Sequence, residues 1–132
     1  MARYNRINID GKLITETRLL AEEAVAGTVV AINDDNKFEK AADATGRVYV
    51  VGVAYSQGQN IDDVIPADSS VQADYVESGR ELVVRVAEGE YKKDDALVVA
   101  DGLFAAGDDA VAFAQEDHTA TAEDNLLRIR IK

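Results

Sequence analysis

The chain has 132 residues, a net charge of -11 and no cysteine. Its length suits one domain or two very small subdomains with a shared core, and its hydrophobic fraction of 47% is too high for a wholly disordered protein. The negative charge argues against a nucleic-acid partner, because a phosphate backbone would be repelled. The lack of cysteine excludes disulfides and thiolate metal sites.

The first twelve residues, MARYNRINIDGK, lack the apolar core of a secretory signal. No apolar run approaches the roughly 18 residues that a membrane helix needs. We therefore expect a soluble protein with no membrane partner, made without a Sec-type signal.

Basic residues concentrate at the two ends of the chain. Residues 1–20 carry four basic and two acidic side chains, residues 126–132 carry three basic and no acidic ones, and the segment between them has a net charge of -16. Two interpretations stay open. Either the asymmetry is chance on a solvated surface, or the basic ends dock on an acidic protein surface.

Residues 3–12, RYNRINIDGK, alternate apolar Ile7 and Ile9 with polar neighbours. This pattern is compatible with a first strand of the domain, with an arm that adds a strand to a neighbouring molecule, or with a frayed terminus. We therefore divide the chain into residues 1–20, an N-terminal arm or first strand, and residues 21–132, a single β-barrel-like domain. Residues 17–27 are the one helical candidate, and an extended approach to the next strand is equally compatible.

Strand signals dominate the remaining chain. Residues 27–32 (GTVVAI) lead into an Asn/Asp turn and a short return strand containing Phe38. Residues 47–55 are apolar on both faces and predict a buried strand, in which Gly52 marks a bulge or a close backbone approach. Residues 61–65 (IDDVI) are expected to end at Pro66, the one proline.

The second half contains clearer alternation. A turn at residues 77–79 joins two strands, and residues 81–86 place Leu, Val and Val on one face and Glu, Val and Arg on the other, as expected of a half-buried strand. Residues 96–106 (ALVVADGLFAA) predict a hairpin with Asp101-Gly102 at its tip. Residues 110–116 and 126–132 predict two further strands.

The two halves repeat one pattern. Four pairs of segments or residues match at offsets of about 62 to 68 residues. They are GTVVAI with DALVVA, Phe38 with Phe104, VYVVGVAY with AVAFAQED, and IDDVI with NLLRIRI. We predict an all-β fold, a small barrel or sandwich of about eight short strands with at most one short helix and an internal two-fold repeat. If the repeat is structural, Phe38 and Phe104 should occupy related positions and pack inward.

No catalytic constellation is present, so we expect no enzyme and no cofactor. His118 is the single histidine, lies in a polar stretch and is interpreted as a solvated loop residue. The paired aspartates do not match the spacing of an EF-hand loop and are interpreted as turn residues, which predicts no metal site. The serines lie outside any nucleophile elbow.

The chain resembles the head decoration (cement) proteins of tailed bacteriophages in the order and spacing of three segments and in the short basic strand that ends it. The segments are RLLAEEAVAGTVVAINDDNKFEKA, VYVVGVAYSQGQNIDDVIPADSSVQA and GRELVVRVAEGEYKKDDALVVADGLF. The resemblance covers about residues 18–132. It implies a β-rich structural protein that is made in the bacterial host cytoplasm and binds the outer surface of the virion capsid. It further implies that the protein cements neighbouring major capsid protein subunits against internal DNA pressure, as a dimer or trimer.

Some proteins of this kind add an N-terminal arm to the capsid lattice. The resemblance therefore implies capsid contacts for Arg3, Tyr4, Arg6, Ile7 and Ile9. The alternatives are another phage structural module, such as a tail or baseplate accessory or a fibre domain, or a module that binds protein or sugar.

Overall fold

The computed structural model describes residues 3–12, 14–53 and 57–132. These residues form twelve short β-strands and no α-helix, which confirms the all-β prediction. The first half contains β1 (Thr15–Leu19), β2 (Val29–Ile32), β3 (Phe38–Lys40), β4 (Val48–Val51) and β5 (Ser70–Tyr75). The second half contains β6 (Glu81–Arg85), β7 (Gly89–Tyr91), β8 (Ala96–Ala100), β9 (Leu103–Ala106), β10 (Ala112–Ala114), β11 (His118–Ala120) and β12 (Leu126–Ile131).

The two halves build sheets of the same topology. The first sheet has the order β1-β5-β4-β2-β3 and the second has the order β6-β12-β10-β8-β9, with every neighbouring pair antiparallel. Each strand of one sheet therefore has a counterpart at the same place in the other. A third, two-stranded sheet pairs β7 with β11.

The two phenylalanines mark the same point of each half. Phe38 forms a parallel bridge with Leu20, and Phe104 forms a parallel bridge with Val86. Both pairs are offset by 66 residues (86 - 20 and 104 - 38), and both phenylalanine side chains are fully buried. The predicted relation between Phe38 and Phe104 is confirmed. Through these bridges each sheet curves back on itself. In the first sheet β3 pairs with the residue that follows β1, and in the second sheet β9 pairs with the residue that follows β6.

One part of the predicted match was wrong. The sequence match paired the IDDVI segment with the last strand, β12, but the counterpart of β12 in the first sheet is β5. Ile65 of the IDDVI segment instead forms an isolated bridge with Ala24. This bridge corresponds to the pairing of β11 with β7 in the second half. The sequence match failed here because β5 and β12 bury different side chains. An alignment of the two halves by hydrophobicity alone therefore matched β12 with the apolar residues 61–65, which precede β5 in the chain.

The predicted turns have the backbone that their residues favour. Asp101 and Gly102 connect β8 to β9 with φ values of 50° and 81°. Positive φ at both positions is what a tight two-residue hairpin requires, and glycine adopts it without a steric cost. Gly52 is also explained, because a Cβ there would lie 3.1 Å from the Gln72 carbonyl oxygen, which accepts the Gly52 N–H.

Three further expectations change. The described residues contain twelve strands rather than about eight, because three-residue strands such as β7 and β11 are too short to show a period. Residues 17–27 contain the end of β1, two isolated bridges at Leu20 and Ala24, and a turn at residues 26–27, so the helical alternative is wrong. β6 is buried on both faces rather than half-buried, because segments from the first half and the N-terminus cover its outer edge.

The core divides into two clusters that follow the sheets. The larger one contains Phe104 and joins β6, β8, β10 and β12 to Val29, Val50 and the N-terminal Ile7. The smaller one contains Phe38 and Leu20 and lies on the opposite face of the first sheet. The predicted burial of residues 47–55 is confirmed for β4, since Val48–Val51 is buried, whereas residues 54 and 55 of the predicted strand lie outside the described residues. Within the described ranges, no helix is long and apolar enough to cross a membrane.

Candidate functional site

The N-terminal segment, residues 3–12, lies along the outer edge of β6. Asn8 forms an antiparallel bridge with Leu82, the Val83 N–H donates to the Ile7 carbonyl oxygen at 2.9 Å, and the Ile9 N–H donates to the Glu81 carbonyl oxygen at 3.4 Å. The Ile7 side chain is only 2% exposed and belongs to the larger core cluster. The segment therefore supplies both backbone hydrogen bonds and a core side chain.

A buried arginine anchors the C-terminal end of this segment. Arg80, whose side chain is 0% exposed, donates from Nε to Asp10 Oδ2 at 3.0 Å and from Nη2 to Asp74 Oδ1 at 3.2 Å. Its Nη1 donates to the Tyr75 carbonyl oxygen. Asp10 also accepts the backbone N–H of Glu81 at 2.9 Å. One guanidinium thus joins the N-terminal segment, β5 and the start of β6.

The two carboxylates around Arg80 differ in acidity. Burial alone would raise the pKa of Asp10, but the hydrogen bonds from Arg80 and from backbone N–H groups outweigh it and lower that pKa to about 2. Burial dominates at Asp74 and raises its pKa, although Arg80 and Asn8 oppose the shift. Asp10 is therefore the partner that the folded state holds ionised.

A second contact fixes the other end of the segment. Arg3 Nη1 lies 3.1 Å from Glu116 Oε1, and the Tyr4 hydroxyl donates to Glu116 Oε2 at 2.9 Å. Glu116 also accepts the backbone N–H of Arg128 at 2.9 Å. Burial would raise the Glu116 pKa, but these donors outweigh it and lower the pKa. Glu116 thus gathers the basic N-terminal residues and the C-terminal strand at one point.

We expect acid to loosen this segment. The pKa values of Asp10 and Glu116 are lowered by folding, so both carboxylates stabilise the folded state above their ordinary pKa values. The Asp10 contribution is lost as the pH falls toward about 2, and the Glu116 contribution is lost as the pH falls through its lowered pKa. The raised pKa of Asp74 acts in the opposite direction. The Asp10 contribution is about 1 to 2 kcal/mol after allowance for solvent screening.

The measurement is the pH dependence of the free energy of unfolding between about pH 5 and pH 2, together with amide exchange of Val83, which donates to Ile7. Asp10→Asn should flatten this dependence, and Asp34→Asn, in the exposed β2–β3 turn, should leave it unchanged. An Asp10→Asn variant with the full acid dependence would contradict the assignment.

The five residues for which capsid contacts are predicted differ in exposure. Arg3 and Arg6 are exposed, Tyr4 and Ile9 are partly buried, and Ile7 is buried. The segment is neither frayed nor a regular strand, because it makes one bridge and several side-chain contacts with its own domain. Their contact with a capsid stays a prediction.

Sequence reasoning missed two buried arginines, of which Arg80 holds the N-terminal segment and Arg85 joins the two halves of the chain. Arg80 and Arg85 are both buried, although the alternation of residues 81–86 placed Arg85 on a solvent face. Arg85 donates to the carbonyl oxygens of Ala26 (2.8 Å) and Ile61 (2.7 Å) in the first half. The one sequence feature that indicated a covered face is Val83, an apolar residue between Glu81 and Arg85 on the face predicted to be solvent-exposed.

His118 is not a solvated loop residue. It begins β11, its side chain is 12% exposed, and its Nε2 lies 3.0 Å from the Asp124 carbonyl oxygen. Residues 118–120 form a strand because their backbone pairs with β7, and a polar sequence does not prevent such pairing. No group of three or more potential metal-ligating side chains occurs among the described residues.

Both sides of β1 are recessed. A groove of about 760 Å³ lies between the N-terminal segment and the β1–β5 face that carries Thr15, Thr17 and Gln72. A smaller one of about 180 Å³ lies on the other face, beside Glu16 and Arg47. The Arg47 guanidinium sits 4.4 Å from the centre of the Tyr75 ring. Recesses on both faces of an edge strand can take the alternate side chains of an extended polypeptide that pairs with it.

Comparisons with known proteins identify a matching family and a similar fold. A family model described as XM1 gp53 minor capsid protein matches residues 1–131. The chain is also similar to the crystal structure of the head fiber gp8.5 N base in bacteriophage phi29, with a TM-score of 0.60 and 17% identity over 90% of this chain and 93% of that chain. At this identity the likeness concerns the fold. No curated protein sequence matches the chain.

Proposed function

Because this chain belongs to the XM1 gp53 minor capsid protein family, with a match over residues 1–131, we propose that it is a decoration protein of the phage head. It is a phage structural protein. In this proposal it is made in the host cytoplasm, binds the outer surface of the assembled capsid and bridges neighbouring major capsid protein subunits. The family match is the observation that carries the proposal.

Cementing by such a protein is multivalent adhesion. One copy that contacts two capsid subunits makes its second contact intramolecular, which raises its effective affinity. Many copies then oppose shell expansion, although each contact is modest. A non-enzymatic role agrees with this family.

We propose that the N-terminal segment contributes to capsid binding. Arg3 and Arg6 are exposed, and the segment is basic within an otherwise acidic chain, so it suits an acidic protein surface. Ile7 can contact a capsid only after the segment leaves β6, because its side chain is buried in the core. Arg6 is exposed, so its guanidinium can contact a capsid while the segment stays on β6.

The test is co-sedimentation with expanded heads from a phage mutant that lacks this protein. We expect saturable binding by the natural chain and an affinity reduced about tenfold or more by Arg6→Glu, because the charge complementarity is reversed. Lys93→Glu, at an exposed position far along the chain, is the matched control and should bind normally. Absence of binding by the natural chain at any salt concentration would overturn the proposal.

The cysteine-free sequence permits a direct test of segment release. Ile9→Cys combined with Glu81→Cys places two thiols at positions opposite each other in the register set by the Asn8–Leu82 bridge. If the segment adds a strand to the capsid, the oxidised variant should not bind heads and a reducing agent should restore binding. Equal binding of both forms would show that the segment acts while docked on β6.

The fold likeness to the head fiber gp8.5 N base favours a second candidate, the base of a head fibre. The two functions differ in their effect on the shell. A cementing protein should raise the temperature at which DNA-filled heads rupture, whereas a fibre base should bind without changing it. Rupture measured with and without saturating protein distinguishes them.

A further inference from the structure

The two counterpart strands β1 and β6 differ at their outer edges. At β6, the Val83 N–H donates to Ile7 and the Arg85 N–H donates to Gly27, both at 2.9 Å, while the Glu81 N–H donates to Asp10. Every second residue of this edge is therefore paired. The covering groups come from the N-terminal segment and from residue 27.

The equivalent edge of β1 is covered at its C-terminal end, where Phe38 forms a parallel bridge with Leu20 and its carbonyl oxygen accepts the Ala21 N–H at 2.7 Å. Between Thr15 and Leu19, no described segment covers the outward N–H groups of this edge as the N-terminal segment covers those of β6. Hydrogen bonds from the Tyr75 N–H to the Ile14 carbonyl oxygen and from the Leu20 N–H to the Ser69 carbonyl oxygen show that even-numbered residues face β5. Odd-numbered residues therefore point their backbone groups outward. Across residues 3–12, 14–53 and 57–132, no backbone hydrogen bond to a further segment uses the outward N–H groups, which belong to Thr15, Thr17 and Leu19.

Apolar side chains also flank this edge. Ile14 is 40% exposed and Leu19 is 43% exposed, and they are two of the three exposed large hydrophobic residues in the described part of the chain. Large apolar groups at both ends of an unpaired edge strand indicate a surface that a further strand covers. A groove lies on each face beside the edge, where alternate side chains of that strand would fit.

We propose that the strand that covers this edge is β1 of a second copy of this chain, antiparallel and centred on Thr17. In this register Thr17 lies opposite Thr17 of the second copy, and its outward N–H and C=O groups form a reciprocal hydrogen-bonded pair. Glu16 then lies opposite Arg18 of the second copy, twice over by symmetry. The two five-stranded sheets become one sheet of ten strands.

The sequence of β1, TETRL, is complementary to itself in this register. Opposite charges that face each other across two strands stabilise the pair, and like charges destabilise it. Arg18 already lies 2.9 Å from Glu16 in its own chain, and its side chain is 29% exposed. Glu16 of the second copy adds a second carboxylate beside the exposed part of this side chain.

Self-complementarity favours a second copy over a capsid strand. A two-fold interface places the same patch on both sides, so each residue meets its own counterpart across the axis. The alternation Glu16-Thr17-Arg18 satisfies this requirement, which a heterologous partner would not need. Such a short interface is small, and we expect a dissociation constant of roughly micromolar magnitude or weaker.

The test uses the full chain in sedimentation equilibrium, without heads, so that it does not depend on capsid binding. We expect a concentration-dependent dimer. Glu16→Arg and Arg18→Glu should each weaken it about tenfold or more, because each places like charges opposite each other, and the double variant should restore it. Glu88→Arg, at an exposed position in the second half of the chain, is the control and should not change it.

A second variant tests the backbone pairing. Thr17→Pro removes an N–H that does not serve the β5 ladder, so it should abolish the dimer without unfolding the chain, as circular dichroism would show. Three results would overturn the proposal: a chain that stays monomeric up to roughly millimolar concentration, a dimer that survives Thr17→Pro, or a double charge reversal that fails to restore association. A monomer whose binding to heads is lost in Thr17→Pro would instead assign β1 to a capsid strand and would also overturn it.

Discussion

Replacing Arg80 with methionine is expected to lower the free energy of unfolding by about 3 to 5 kcal/mol. The guanidinium is fully buried and is the shared partner of Asp10 and Asp74. Without it, two carboxylates remain in a poorly solvated site with fewer donors, and burial already disfavours the ionised form of Asp74. Urea unfolding followed by circular dichroism measures the change.

A matched control separates this effect from the loss of any arginine. Arg128 lies 3.2 Å from Glu81, but both side chains are more than a third exposed. Arg128→Met should therefore cost less than about 1 kcal/mol. Equal losses in the two variants would show that burial of Arg80 is not the cause. Adding Asp10→Asn and Asp74→Asn to Arg80→Met should recover part of the loss, because the stranded charges are removed.

The second large effect concerns the repeat. Phe38→Ala and Phe104→Ala should each destabilise the protein by about 3 to 5 kcal/mol, because each removes a fully buried ring and leaves a cavity. The rings occupy equivalent positions but different core clusters. If the halves are energetically equivalent, the two losses should agree within about 1 kcal/mol.

Phe113, the remaining phenylalanine, provides the control for this pair. It is partly exposed on β10 and its ring lies 5.7 Å from the Arg130 guanidinium carbon. Phe113→Ala should cost markedly less than either of the other two substitutions. A loss for Phe38→Ala no larger than that of Phe113→Ala would show that the smaller core cluster collapses around the missing ring.

Local signals were enough to predict much of the fold. Asp101-Gly102 identified its hairpin because only a few residue types tolerate that backbone, and the Val-rich runs identified the buried strands. The repeat was visible because Phe38 and Phe104 close equivalent sheets. The β7–β11 pair was missed because three residues carry too little pattern to distinguish a strand from a loop.

The candidate site was less accessible to sequence reasoning. Residues 3–12 were recognised as distinctive, but nothing local shows that Arg80 and Glu116 hold them. Those partners lie 70 and 113 residues along the chain from Asp10 and Arg3. Burial of a charged side chain depends on which segments meet in the folded state, and a single sequence does not encode that as a short pattern.

The covered edge of β6 bears on how the protein avoids open-ended growth. A chain with two bare strand edges can add copies at both and extend into a fibre. Here the N-terminal segment occupies the β6 edge within the same molecule. The β1 edge is then left for a symmetric contact that is used up after one addition. Shortening the chain at its N-terminus would bare a second templating edge and turn a closed assembly into an aggregating one.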